Sequence, residues 1–461
     1  MSSHFHAKTV ENKLNKKQPA QIVNSLFVLT AFAILICGSS QSFGQGSSDA
    51  FQPIFNEKNL DGWYAIKTYD PRSLSKMDSA AKAKRIAEAK ATTDKFWRVE
   101  NGEIINDGNG PFLTSEKEYG DFELLIEYKT VALADSGIYL KATPQVQIWD
   151  YTDENKFKLG ANKGSGGLWN NPRGSAGKDP LVLADNPFGE WNRVKIQQIG
   201  SRTSVWLNDK QVVDHAIMAN YWGKKNKLPL IAKGPIQLQT HGGQIKWRNI
   251  YARDLNAEEA NQILASKNDE GFESIFNGKD LTGWKGPLDN YEVIDGSILC
   301  KKGKGGTIHT NDEYDNFVAR LEFKLPPGGN NGLAIRYPGK GDTAYQGMCE
   351  LQVLDNDAEK FSKLDDRQYH GSAYGMAAAH RGYQRPVGEW NFQEVTVRGS
   401  KIKVELNGTV ILDCDLSEAS DFMADRPHPG KDRTSGYFGL AGHNDPVEFR
   451  NLEIKRLKQA P

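Results

Sequence analysis

Beyond about residue 50 the chain is written in short runs in which apolar and polar side chains alternate. FELLIEYKT from Phe122, RVKIQQI from Arg193, TSVWLN from Thr203, GPIQLQTH from Gly234 and KVELNG from Lys403 all follow this period of two. Gly, Asn, Asp or Pro bounds most of them. That is the pattern of half-buried antiparallel strands. About ten such runs per copy of the repeat described next, with little helix, predict an all-β fold with two packed sheets, a sandwich or jelly roll. WLNDK and ELNGT read as hairpin turns, the Asn-Gly of the second being the stronger signal.

The pattern is written twice. FQPIFNEKNLDGWY at Phe51 returns as FESIFNGKDLTGWK at Phe272, a separation of 221. FWRVENGEII at Phe96 answers NYEVIDGSIL at Asn290, a separation of 194, and GEWN recurs at Gly189 and Gly388. Two homologous units follow, residues 50–255 and 272–457, joined by a short helix or linker over 256–271. The fall from 221 to 194 locates a 27-residue insertion in the first copy, between Trp63 and Phe96. SLSKMDSAAKAKRIAEAKATTDK, within it, is rich in Ala, Lys and Glu and reads as a surface helix.

Alternation also sorts side chains by face. Val146 and Ile148 face the core, while Gln145, Gln147 and Trp149 share the other side. Ile236 and Leu238 oppose Gln237, Gln239 and His241. Glu350, Gln352 and Leu354 share a face, and Arg248 and Arg450 alternate with Trp247 and Phe449. Amides, a carboxylate, histidine and arginine interleaved with aromatics suit a sugar, whose hydroxyls need hydrogen bonds and whose ring face needs an apolar cover. Trp63, Trp191, Trp284 and Trp390 lie in the motifs that recur and read as core.

Charge narrows the partners. Lys plus Arg equals Asp plus Glu, 58 against 58, so no net field attracts nucleic acid or an anionic membrane. Residues 1–44 read as a signal peptide: Lys13, Lys16 and Lys17 precede an apolar run from Ile22 to Gly38, and Ser42 and Gly44 are small residues suited to a cleavage site. The run is short for a membrane span. Export to the periplasm or beyond is the expectation, with no stable membrane insertion after processing. Cys300, Cys349 and Cys414 remain, with no CxxC spacing, and read as buried thiols.

In order, the first copy carries IFN-x-K-x-L-x-GW, SGIYLK at Ser136, VQIWD at Val146, GEWN, VWLN, THGG and WRNI. Together these motifs resemble the 3-keto-disaccharide hydrolase family, over nearly the whole mature chain and once per copy. The resemblance implies a concanavalin-like jelly roll of exported bacterial proteins. It also implies cleavage of glycosides whose sugar carries a ketone at C3, installed beforehand by a sugar 3-oxidoreductase. Such a ketone acidifies the C2 hydrogen, so a base can start β-elimination at C1 and water can add back. That route needs a base, an electrophile at the enolate and a proton for the leaving group. It differs from a two-carboxylate glycosidase.

Carried over residue by residue, the family pattern names Glu350, His443, Arg336 and His241 for catalysis. It names Gln352, Tyr374, Arg450, Asp355, Tyr139, Lys141, Gln145, Gln147, Trp169, Gln239 and Arg248 for substrate binding. Glu350 has only Gln145 opposite it in the first copy, and Gln237, Gln239 and His241 have only His443 left in the second. The carboxylate favours the second copy as the active one. The bland readings are turn capping for Asp150 and Asp355, and carboxylate pairing that braces a sheet for Arg248 and Arg450. No cofactor is required by this reading, although a loop-bound Ca²⁺ is compatible with it. The alternative is a lectin-like protein that binds carbohydrate without cleaving it.

Overall fold

The computed structural model describes residues 51–226 and 228–458; the expected signal peptide lies outside the described residues. Each copy is a sandwich of two antiparallel sheets. In the first, the larger sheet runs in the order Lys210–Ile217, Arg202–Leu207, Asn192–Ile199, Phe122–Thr130, Ile245–Asp254, Glu103–Asn106, Trp97–Glu100, with Gln52–Pro53 added beside Ile245–Asp254. The smaller runs Trp63–Ile66, Phe112–Tyr119, Gly234–Leu238, Asp135–Leu140, Thr143–Trp149. The second copy repeats both orders strand for strand. Its smaller sheet is Trp284–Lys285, Gly305–Tyr314, Gly436–His443, Asn330–Tyr337, Cys349–Leu354. Each copy has its own core. One contains Trp97, Ile126, Val146, Ile148, Ile196 and Trp247, the other Phe323, Leu351, Val353, Val395, Leu440 and Phe449. The alternation therefore assigns the inward residues correctly, and the fold is the two-jelly-roll arrangement that it predicts.

Asn208 and Asp209 both have positive φ, as do Asn407 and Gly408. These are the two-residue hairpin turns whose twist matches that of the strands they join. The insertion forms helix Ser79–Thr93, capped by Asp78, whose side chain accepts from the Ala81 N–H. Its Ile86 and Ala89 pack against Tyr64, Ile66, Tyr69 and Leu74. The junction is a helix too, Ala257–Ala265, with a capping box between Asn256 and Glu259. Ala260 and Leu264 bury against Ile199 and Phe392, so the junction packs against both units rather than swinging free. Arg202 grips Glu405 of the other copy with two hydrogen bonds of 2.7 and 2.6 Å, a bidentate geometry.

Trp63 and Trp284 are buried in the two cores, as expected. Trp191 and Trp390 are not. They lie half-buried on the outer face of the larger sheets, under the guanidinium groups of Arg248 and Arg450. The three cysteines in the described residues are unpaired.

Candidate functional site

Strand Cys349–Leu354 forms one edge of the second unit's smaller sheet. With Leu351 and Val353 in the core, Glu350, Gln352 and Leu354 turn to the opposite face, where loops roof a cavity of about 300 Å³. His443 ends the strand Gly436–His443 and lines the same cavity. Its Nε2 lies 2.8 Å from Glu350 Oε1. The two residues come from strands that are not neighbours, because Asn330–Tyr337 runs between them. Gly332 makes the crossing feasible: a Cβ there would collide with the Glu350 carboxylate. Tyr291 steadies the strand end, accepting from the Gly442 N–H at 2.9 Å and donating to the Gly306 carbonyl at 2.6 Å.

The pair is electrostatically asymmetric. The Glu350 side chain is 5% exposed and that of His443 is 44% exposed. The hydrogen bond from the imidazole to Glu350 holds His443 above its ordinary pKa, with burial opposing. Asp342, Tyr345, Gln368, Tyr374 and Arg426 complete the wall. The Arg426 guanidinium lies 3.4 Å over the Tyr345 ring. The Tyr374 hydroxyl accepts from Gln368 at 3.1 Å, and burial raises its pKa. Gln352 donates to Asn330 Oδ1 at 2.6 Å.

The first unit repeats the architecture with its carboxylate elsewhere. Position 145 is Gln, but Asp135 enters from the adjacent strand Asp135–Leu140. Asp135 Oδ2 lies 3.1 Å from His241 Nδ1 and 3.0 Å from Lys156 Nζ, and its Oδ1 accepts from Gln147 Nε2 at 2.9 Å. Aligned on Gly137 and Gly332, Asp135 corresponds to Asn330 (135 + 195 = 330). The two copies have exchanged which strand carries the acid. Gln145 donates to Gln147 Oε1. Tyr139, Trp149, Trp169, Tyr221, Trp222 and Gln239 also line this cavity, which holds about 500 Å³.

Five expected site residues lie elsewhere. Arg336 falls at a β-bulge and Lys141 in the two-residue hairpin turn that follows strand Asp135–Leu140, both with positive φ, and the local backbone turns each cation from the cavity face into the interior. Arg336 donates to the carbonyls of Asp315, Gly399 and Arg433. Lys141 donates to the Gly200 carbonyl at 2.9 Å, and burial lowers its pKa to about 8. Gly399 and Gly200 are equivalent hairpin turns (200 + 199 = 399), so both cations pin the same turn. Arg248 and Arg450 belong to the larger sheets, where they pair with Glu127 at 2.7 Å and Glu322 at 2.8 Å. Asp355 accepts from the N–H groups of Gly328 and Asp357, capping turns outside the cavity. Asp150 does the same for Leu133 and Thr152.

Several cavity residues escape the sequence reading, among them the charged Asp135, Lys156 and Arg426. Asp135 shares a face with Gly137 and Tyr139 by alternation, which is a usable signal. Lys156 and Arg426 sit on 3₁₀ or irregular loops, where no period places a side chain. Among the described residues, no three His, Cys, Asp or Glu side chains gather as a metal site.

A family model described as a 3-keto-alpha-glucoside-1,2-lyase-like domain matches the chain twice, over residues 50–253 and 271–455. The chain belongs to this family. The 3-keto-alpha-glucoside-1,2-lyase-like domain thus occurs here in tandem. A relative from Bacteroides thetaiotaomicron, a 3-keto-disaccharide hydrolase, is 28% identical over 248 residues, which cover 45% of this chain and 86% of that protein. Two Parabacteroides distasonis crystal structures with a provisional glycosyl hydrolase designation are 26% and 29% identical. They cover 41% and 40% of this chain and 96% and 99% of their own, each with a TM-score of 0.37.

Proposed function

We propose that this chain is a carbohydrate-active enzyme that cleaves the glycosidic bond of 3-keto-glycosides. The observation that carries the reading is the Glu350–His443 contact of 2.8 Å in a loop-roofed cavity, within a family described by that chemistry. Glu350, buried beside the imidazole of His443, takes the C2 proton. The electron pair moves to the C3 carbonyl oxygen and gives an enolate. The enolate collapses, the C1–oxygen bond breaks, and the imidazolium of His443 protonates the departing oxygen. Water then adds across C1 and C2 of the unsaturated ketone, giving net hydrolysis. Arg426, the cation in the cavity wall, takes the part of electrophile toward the enolate, with Tyr374 as a hydroxyl donor.

The reading extends to context. The basic-then-apolar leader supports export from a bacterial cell. The substrate's ketone calls for an oxidoreductase acting on the sugar first. The test compares 3-keto-trehalose and 3-keto-glucosides with their unoxidised parents on the mature chain, with products followed by NMR and mass spectrometry. Turnover of the keto sugars alone is expected. Binding without turnover of either would move the chain to the lectin-like class.

A further inference from the structure

The two cavities have different walls, and more aromatic residues line the first. Tyr139, Trp149, Trp169, Tyr221 and Trp222 all contribute to it, whereas Phe361, Tyr345 and Tyr374 line the second. The first cavity is also the larger, about 500 against 300 Å³. A pyranose has two faces for stacking, and the three less buried rings, Trp169, Tyr221 and Trp222, leave one for a second flat group in the occupant.

The charged groups gather at one end of the strand, where Trp149 is the cross-strand partner of Asp135. Asp135, with His241, Lys156 and Gln147 on it, marks one end. Tyr139 lies four residues further, about 13 Å at roughly 3.3 Å per residue. Around it stand Tyr221 and Trp222, which pack edge-to-face at 4.7 Å, with Trp222 Nε1 donating to the Ala142 carbonyl. That distance accommodates two linked rings. At the end near Tyr139 the polar side chains in the wall include Thr68, Gln145 and Asn170, and two of these amides are already engaged, Asn170 with the Pro144 carbonyl at 2.9 Å and Gln145 with Gln147 Oε1. A second sugar would find few partners there for its hydroxyls. An aromatic ring needs none. Elsewhere in the wall, Gln239 is 7% exposed and its Oε1 has no hydrogen-bond partner. An unmatched buried acceptor is costly, and a hydroxyl donated by a ligand would satisfy it.

We infer that the first unit holds a second glycoside site whose occupant carries an aromatic aglycone. Its sugar lies at the Asp135–His241 end and its aglycone among Tyr139, Trp169, Tyr221 and Trp222. The inference rests on the reading above that this sheet face handles glycosides, but its test measures binding rather than cleavage.

The test is calorimetry on the mature chain with phenyl β-glucoside, methyl β-glucoside and cellobiose, none of which carries the ketone. Phenyl β-glucoside is expected to bind at least 10-fold more tightly than the other two. Trp169→Leu and Tyr221→Leu, each verified as folded by circular dichroism, should each abolish most of that preference. Equal affinity for the three ligands, absence of phenyl β-glucoside binding, or a preference that survives both substitutions would overturn the inference. A preference found in a chain that leaves keto-glycosides intact would sustain this inference and remove the catalytic proposal.

Discussion

His241 and His443 occupy equivalent strand ends, yet they meet their carboxylates through opposite ring nitrogens and from different strands. His241 uses Nδ1 toward Asp135 at 3.1 Å, and His443 uses Nε2 toward Glu350 at 2.8 Å. The pairing is common to both copies while the residue that supplies the acid has moved one strand across the sheet. The nitrogen that does not contact the carboxylate is therefore Nε2 in the first copy and Nδ1 in the second. A proton would be delivered along a different line in each.

Removing either member of the second pair should suppress cleavage of small keto-glycosides. Glu350→Gln keeps shape and hydrogen bonding but loses the base, and His443→Ala loses the acid. A positioned acid or base contributes about 10²–10⁴-fold, so a fall of that order in kcat on methyl 3-keto-glucoside is expected for each. Unchanged circular dichroism would separate chemistry from folding. Wild-type rates in both variants would take this cavity out of consideration.

The pair also sets a pH limb. Because the Glu350 hydrogen bond raises the His443 pKa above 6.5 in the folded chain, the imidazolium persists above that value. The stabilising effect of the pair is complete below the unfolded value of about 6.5 and is lost as pH rises through the folded one. An NMR titration of His443 should show the raised midpoint, and Glu350→Gln should lower it. The alkaline limb of kcat should fall at the same pH as the NMR midpoint.

Gly332→Ala tests whether the carboxylate must cross the middle strand. The added methyl would collide with the Glu350 side chain, and the backbone at Gly332 has no positive φ to strain. Activity should drop at least 10-fold, with thermal stability changing less than for a core cavity mutant. A fully active variant would show that Glu350 does not act from this position.

Arg336 yields a contrasting expectation. Arg336→Met orphans the part-buried carbonyls of Asp315, Gly399 and Arg433. Each unsatisfied group costs about 1–3 kcal/mol, and partial access to water limits the sum, so a loss of about 2–4 kcal/mol in denaturant unfolding is expected. Specific activity of the folded fraction should be unchanged, since the guanidinium points away from the cavity.

Much of this architecture was legible before any coordinates, for a physical reason. Alternation is a property of strands, so it placed Val146 and Ile148 inward, Gln145 and Gln147 outward, and Glu350 beside Gln352. It gives no guide where the backbone leaves the strand, at the bulge that holds Arg336 and the hairpin turn that holds Lys141, so the family pattern alone places these two in the site. It is also silent on sheet membership, which is why Arg248 and Arg450 seemed to belong with Gln239 while lying on the other sheet. Asp135 was within reach, two residues from Gly137 on the cavity face. Lys156 and Arg426 were not, because loops carry no period.

The central claim is that cleavage begins with removal of the C2 proton by the Glu350–His443 pair. Its most direct test runs a 3-keto-glucoside with the mature chain in D₂O and follows C2 by NMR. Deuterium at C2 of the released keto sugar is expected, and in Glu350→Gln a loss of the exchange together with the cleavage. Cleavage with C2 retaining its original hydrogen would contradict it.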